Sequence, residues 1–391
     1  MTEVSLKKAR VAVNVAGVWT GPGYARELDA PALASPADVR GWLGSMPYEQ
    51  RLDLSEGNRL QTQLLLREQV LVAAEQDGWA QIYAPSQRTR KEPLGYRGWM
   101  PLAQLVFEPA AASLADFVSA EDLYAGPGKV EEVQVGSSAA EALLAGSGTG
   151  EPLHASIGIG IGTVEELLSD SGAAEPLQVE SDTADALLAV VTAESAWLHR
   201  GAMEDDCEPQ PWLELSYLTA LPVLTGLGEW VQVQLPQGGS GLLRSSEVSQ
   251  RRQVLGAAVS SANGRHSGRI IVEEAKRYLG LPYLWGGVSS FGYDCSGLVY
   301  SMHLAAGFLI PRDAADQALE GISVEREDLT PGDLLFFAYE EGKGRIHHVG
   351  ICAGGGRMVH SPRTGRCVEL VKFDESYELY REHCATRRYW R

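Results

Sequence analysis

Asp294, Cys295, Ser296 and Gly297 follow one another where an extended, glycine-marked stretch gives way to apolar residues at helical spacing. That series is Leu298, Val299, Met302, Leu304 and Ala305, closed by Gly307. An Asp ahead of such a series is a preferred N-cap, so the spacing predicts a helix with Cys295 in its first turn. Unpaired backbone N–H groups and the helix dipole favour a thiolate there. The small Ser296 and Gly297 leave room for a substrate. A free cysteine on a helix is otherwise an inert core residue. With no preceding turn to cover it, Cys295 is better placed as a nucleophile.

A cysteine nucleophile needs a base. His303 lies eight residues along the same helix, about 12 Å of rise away, and cannot serve. The stretch HHVGICAGGGRMVHSP, residues 347–362, reads as a β-hairpin with its glycines in the turn. A three-residue loop centred on Gly354 pairs Cys352 with Gly356, Gly350 with Met358, and His348 with His360. Period-2 alternation then puts His348, Gly350, Cys352, Met358 and His360 on one face, with His347 on the other. One imidazole acts as base while the other accepts its N–H and fixes its tautomer. His348, Cys352 and His360 could instead share a metal, but no Asp or Glu follows at ligand spacing. Neither a metal nor a cofactor is expected.

Three kinds of element must position these groups. Residues 69–105 and 221–248 share one rhythm: an apolar strand, a glycine turn, a Trp with alternating residues (GWAQIYAP, EWVQVQLP), a loop, and a Gly-led strand (RGWMPLAQL, SGLLRSSEV). Short alternating strands spaced by turns read as small β-barrels. The rhythm resembles the bacterial SH3-like domain, in which Trp79, Trp99 and Trp230 would be barrel-core aromatics. Between the two patterns the composition shifts to Ala, Gly, Ser and Glu. There AEALLAGSGTGEPLHAS (140–156) and VEELLSDSGAAEPLQVE (164–180) repeat, too few units for a solenoid. Beyond residue 265, RIIVEEAKRYLG reads as a helix stopped by Gly280 and Pro282, and strands dominate after the cysteine helix, an α+β order. The expected division is 1–106 and 186–250 as barrels, 107–185 as an insert or small subdomain, and 251–391 as the catalytic part.

The 391 residues carry a net charge of −18 and 45% hydrophobic residues. The charge argues against nucleic acid and anionic polymers as partners. Cys207, Cys295, Cys352, Cys367 and Cys384 form neither a disulfide framework nor zinc-ligand pairs, which favours a reducing compartment. Lys7, Lys8 and Arg10 precede an apolar run that superficially resembles a signal peptide. Asn14, Gly17 and Trp19 break it, so a first strand is the better reading. No run reaches the roughly 18 apolar residues that cross a membrane. A cytosolic protein without membrane partners is expected.

PYLWGGVSSFGYDCSGLV, IPRDAADQ, LTPGDLLFF and the histidine hairpin, over about residues 267–391, resemble the NlpC-type cell-wall cysteine peptidases. That resemblance implies a papain-like fold, Cys295 as nucleophile, His348 as base and His360 as its orienting partner. It also implies Tyr283 beside an oxyanion hole made with the Cys295 N–H. Two SH3-like domains ahead of it are similar to a narrower group, the γ-D-glutamyl-L-diamino acid endopeptidases of murein recycling. These act on murein tripeptides or tetrapeptides with a free N-terminal L-Ala and a meso-diaminopimelate or Lys next to D-Glu. In that group the amine is held by the residues matching Asp294, Ser296, Asp313 and, from the first barrel, Tyr96. This chain has Ala314 where the group often has Ser, and Gln61 where the first barrel often supplies a carboxylate. The rival readings are an exported hydrolase whose barrels bind intact wall, and a non-catalytic wall-peptide-binding module. The oligomeric state is not legible.

Overall fold

The computed structural model describes residues 6–108, 187–201, 208–252 and 264–390. The 140–180 repeat lies outside the described residues. Strands β1 (Lys7–Val11), β2 (Val15–Trp19), β3 (Leu60–Leu65), β4 (Gln69–Gln76), β5 (Trp79–Ala84), β6 (Tyr96–Pro101) and β7 (Leu105–Phe107) form one sheet in the order β3-β2-β6-β5-β4-β1-β7. A second sheet contains β8 (Leu187–Val191), β9 (Ser195–Arg200), β10 (Gln210–Ser216), β11 (Ala220–Leu227), β12 (Trp230–Gln234), β13 (Ser240–Arg244) and β14 (Val248–Arg252). Its order, β10-β9-β13-β12-β11-β8-β14, repeats the first position by position.

Alternation along the strands decides which residues fill each core. In β5, Ala80, Ile82 and Ala84 are buried while Trp79 is only half-buried; in β12, Val231 and Val233 point inward and Trp230 does not. The three expected core tryptophans are therefore half-buried: Trp230 packs between His199 (4.9 Å) and the Arg244 guanidinium (4.6 Å). The first core is instead built around Trp19 and Trp42, whose ring centroids are 6.4 Å apart.

Trp42 comes from a feature absent from the all-β expectation. Between β2 and β3 the chain forms α1 (Val39–Ser45) and α2 (Tyr48–Glu56). Asp38 caps α1 by accepting from the Gly41 N–H at 2.8 Å, and the buried Asp29 accepts from Trp42 Nε1 at 2.9 Å. The turn composition of the surrounding sequence hid these short helices, which owe their stability to burying Trp42 rather than to helical periodicity.

The C-terminal part has α3 (Gly264–Lys276), the ribbon β15 (Val288–Ser289) and β16 (Gly292–Tyr293), and α4 (Cys295–Ala305). These precede a six-stranded antiparallel sheet of β17 (Ile322–Ser323), β22 (His383–Arg388), β18 (Leu334–Ala338), β19 (Ile346–Gly354), β20 (Arg357–His360) and β21 (Glu369–Lys372), in that spatial order. Helices first and strands second is the expected α+β arrangement. The ribbon joins all three parts. Trp285 Nε1 donates to Leu60 O (2.8 Å), Gln63 Oε1 accepts from Ser289 Oγ (2.9 Å), and the Ser290 N–H donates to Ser216 Oγ (3.0 Å).

Gly297 has a packing task rather than the expected one of leaving room for substrate. A Cβ there would lie 2.0 Å from the Gly287 carbonyl oxygen, so the first turn of α4 rests directly on ribbon backbone. Gly297→Ala forces backbone to move and is expected to cost about 1–3 kcal/mol, measured by urea unfolding.

Candidate active site

Asp294 adopts extended geometry (φ −84°, ψ −179°) and accepts from the Gly297 N–H at 2.6 Å, so it is the N-cap of α4 and Cys295 opens the helix. The thiol is half-buried, and the N–H groups of Ser296 and of Val349 on β19 are directed at it. Val349 follows His348, so this contact lies one residue along β19 from the expected base. Burial, followed by the negative charge of Asp294, pushes the Cys295 thiol up to about 12, while the two N–H groups and Arg312 act in the opposite sense. Burial thus works against the thiolate that the helix start favours.

The hairpin forms with a different register. Cys352 faces Met358 and Ile351 faces Val359, and the chain reverses through Gly355 and Gly356, at φ +61° and +67°. Two consecutive residues in the left-handed region make the tight turn that glycine favours. Relative to the expected pairing the strand is shifted by two residues. A shift of two preserves the faces, so His348 and His360 still share one side. Gly350 lies between them: a Cβ there would meet Met358 Sδ at 2.4 Å and His360 Cβ at 3.3 Å. The open position lets the rings meet diagonally, with His348 Nε2 2.7 Å from His360 Nδ1. His347 points elsewhere, stacking on Tyr339 at 4.1 Å and contacting Glu382 at 2.9 Å. His303 is scaffold, wholly buried with Nδ1 donating to Val299 O at 2.8 Å.

Two groups that sequence reasoning missed complete this line. His360 Nε2 lies 2.9 Å from the Tyr377 hydroxyl and 3.2 Å from Glu369 Oε1. Glu369 is directly opposite His360 across β20 and β21, a pairing that only the register of a third strand reveals. Among the described residues no group of three His, Cys, Asp or Glu side chains could hold a metal ion.

Asp294 and Ser296 are engaged differently from the amine-holding role expected of them. Arg312, 1% exposed, donates from Nη2 to Asp294 Oδ2 (2.7 Å), from Nη1 to Asp294 Oδ1 (3.2 Å) and Ser296 Oγ (2.9 Å), and from Nε to Thr62 Oγ1 (2.9 Å). The Asp294 charge is already compensated by Arg312, with Oδ1 accepting from Gly297, Ser296 and Arg312 and Oδ2 from Arg312. Tyr96 and Asp313 are brought together: the phenol donates to the carboxylate at 3.1 Å, and Lys91 reaches it at 3.2 Å. Burial and the adjacent Asp313 charge hold the Tyr96 phenol well above its ordinary value. Gln61 bonds within its own domain, to Asn58 Oδ1 at 2.8 Å. Tyr283 has its phenol pushed up by burial and then by neighbouring Cys295 and Asp294, and it lines a cleft of about 480 Å³ with Trp285, His348, Arg363 and, from α2, Tyr48 and Leu52.

Two outcomes follow from these electrostatics. Arg312→Met leaves Asp294 as a buried, unpaired carboxylate, a loss of about 3–5 kcal/mol that chemical denaturation measures and added Asp294→Asn partly restores. Burial also lowers His303, His360 and His383 to about 4, and His348 well below its ordinary 6.5. Between pH 6.5 and 4 the unfolded chain therefore binds more protons than the folded one. Stability is expected to be fully present above pH 6.5 and to fall as the pH drops towards 4, followed by thermal unfolding across that range.

Residues 280–387 match the NlpC/P60 family and residues 191–250 match the YKFC SH3b2 domain. The chain is 35% identical over 375 residues, 96% of each protein, to a gamma-D-glutamyl-L-lysine dipeptidyl-peptidase of Bacillus subtilis. It is 29% identical to one so named in Bacillus cereus, across 98% of this chain and 91% of that one. The crystal structure of an NlpC/P60 family protein from Bacillus cereus aligns over 98% of this chain and all of the other, with a TM-score of 0.73 at 28% identity. A cysteine at a helix start, a histidine pair on the facing hairpin and these likenesses agree: the chain belongs to the NlpC/P60 family of cysteine peptidases.

Proposed function

We propose that the protein hydrolyses the γ-D-glutamyl bond to the diamino acid, meso-diaminopimelate or Lys, in murein peptides with a free N-terminal L-Ala. In this reading it works in the cytoplasm during cell-wall recycling, with two SH3-like barrels, 1–106 and 186–250, flanking the 107–185 insert, ahead of a papain-like domain, 251–391. The observation that carries the substrate assignment is the Tyr96–Asp313 hydrogen bond. It joins a phenol of the first domain to a carboxylate of the catalytic domain, beside the Arg312–Asp294 pair. An ammonium group is best received by such a carboxylate, backed by a hydroxyl oxygen that can also accept. A peptide whose amine is blocked would bring a carbonyl to the same acceptors and be refused. Because Asp294 and Ser296 are taken up by Arg312, they form the floor of this pocket, and Asp313 and Tyr96 make the contact.

In this reading the chemistry begins with the thiol proton. The Cys295 thiol gives its proton to His348 as sulfur attacks the γ-carbonyl, forming the carbon–sulfur bond. The Cys295 N–H, with Tyr283 beside it, stabilises the oxygen that becomes negative. His348 returns the proton to the departing amine as the carbon–nitrogen bond breaks, leaving a thioester. A water, deprotonated by the same imidazole, then releases the acid and regenerates the thiol.

Mass spectrometry of products from L-Ala-γ-D-Glu-diamino acid peptides tests this. Cleavage of the free-amine peptide, its loss in Cys295→Ala, and refusal of the N-acetylated peptide are expected. Equal cleavage of the acetylated peptide or of intact sacculi would favour an exported wall hydrolase instead.

A further inference from the structure

The line of polar groups that runs from His348 through His360 ends on an anion. Glu369 receives Arg366 at 2.9 Å on one oxygen and 2.7 Å on the other, and Arg366 reaches Glu378 at 3.4 Å. The His360 side chain is fully buried, so its proton arrangement is decided by its protein partners and not by water. Those partners come from three elements: His348 on β19, Glu369 on β21 with Arg366 just before it, and Tyr377 in the segment after β21.

We propose that Glu369 is a positioning residue that sets the tautomer of both imidazoles and so leaves His348 with a free lone pair for the Cys295 proton. A carboxylate held by Arg366 only accepts hydrogen bonds. His360 must therefore carry its proton on Nε2, which leaves Nδ1 as an acceptor. The 2.7 Å contact from His360 Nδ1 to His348 Nε2 then requires the proton on His348 Nε2. His348 Nδ1 is left unprotonated, as a base must be. With the opposite order, His348 would present an N–H and could not take the thiol proton. Tyr377 cannot make this choice, since a hydroxyl both donates and accepts. The carboxylate also stabilises the imidazolium formed during attack, two rings away. This assignment rests on the cysteine-peptidase chemistry and not on the identity of the peptide.

The test uses the full-length chain. Histidine 15N NMR at neutral pH is expected to show both His348 and His360 protonated at Nε2. Iodoacetamide labelling of Cys295 is followed from pH 5 to 10 by mass spectrometry of its own peptide, since Cys367 is also exposed. Glu369→Gln, whose amide offers either a donor or an acceptor, is expected to slow Cys295 labelling by about tenfold or more. Its kcat on the peptide falls in parallel while KM stays within about twofold, and the pH profile of labelling shifts. Tyr377→Phe, which leaves the carboxylate acceptor in place, is expected to keep both rings protonated at Nε2. Protonation of His360 at Nδ1 in the unsubstituted chain overturns the proposal, whether or not the variant folds. Unchanged Cys295 labelling in a folded Glu369→Gln variant also overturns it. A chain that labels as expected but leaves the peptide intact upholds the role of Glu369 and sinks only the substrate reading.

Discussion

The pairing of Arg312 with Asp294 is the interaction on which most of the site geometry depends. Both partners are buried, both Asp294 oxygens are used, and the same carboxylate caps the helix that presents Cys295. The guanidinium continues to Thr62, which donates to Gln87 at 2.8 Å, and Gln87 in turn donates to Gln63 O at 2.6 Å. A fixed planar fork thus ties helix start, catalytic loop and first domain into one network. Burying two charges is costly unless they are paired and hydrogen-bonded, and here each Asp294 oxygen accepts from Arg312. The position of Cys295 accordingly depends on the first sheet as well as on the C-terminal part.

That dependence explains what was legible beforehand. The cap, the cysteine and the shared face of the two histidines follow from local spacing, and they hold even though the hairpin register is shifted by two. Period-2 reasoning is insensitive to a shift by an even number of residues. It cannot see the partners that arrive from elsewhere in the chain. Glu369 reaches His360 only because β21 pairs with β20, and Arg312 reaches Asp294 across a loop with no repeating pattern. The helices around Trp42 were missed for a related reason, since one buried tryptophan stabilises them rather than an amphipathic stripe. The space at Gly297 was misattributed because a small side chain looks the same in sequence whether substrate or backbone fills the room.

The electrostatics of the pair also differ from the simple helix-terminus argument. Two N–H groups and a cation favour the Cys295 thiolate, yet burial and the Asp294 charge outweigh them. His348 is held neutral by burial and by two neighbouring histidines. Burial thus acts against charge on both side chains, on the thiolate and on the imidazolium alike.

The two seven-stranded sheets share one strand order but differ most in one connection. Residues 20–59 link β2 to β3, whereas residues 201–209 link the corresponding β9 to β10. Closing a loop about four times longer costs only about 1.2 kcal/mol in chain entropy. The longer connection places Tyr48 and Leu52 in the wall of the cleft. The architecture therefore contains a cheap site of innovation: one copy of a scaffold can keep its short connection while the other grows a new surface there. Selectivity can then be rewritten by exchanging a surface segment of the first copy, leaving the helix, hairpin and sheet that perform the chemistry untouched.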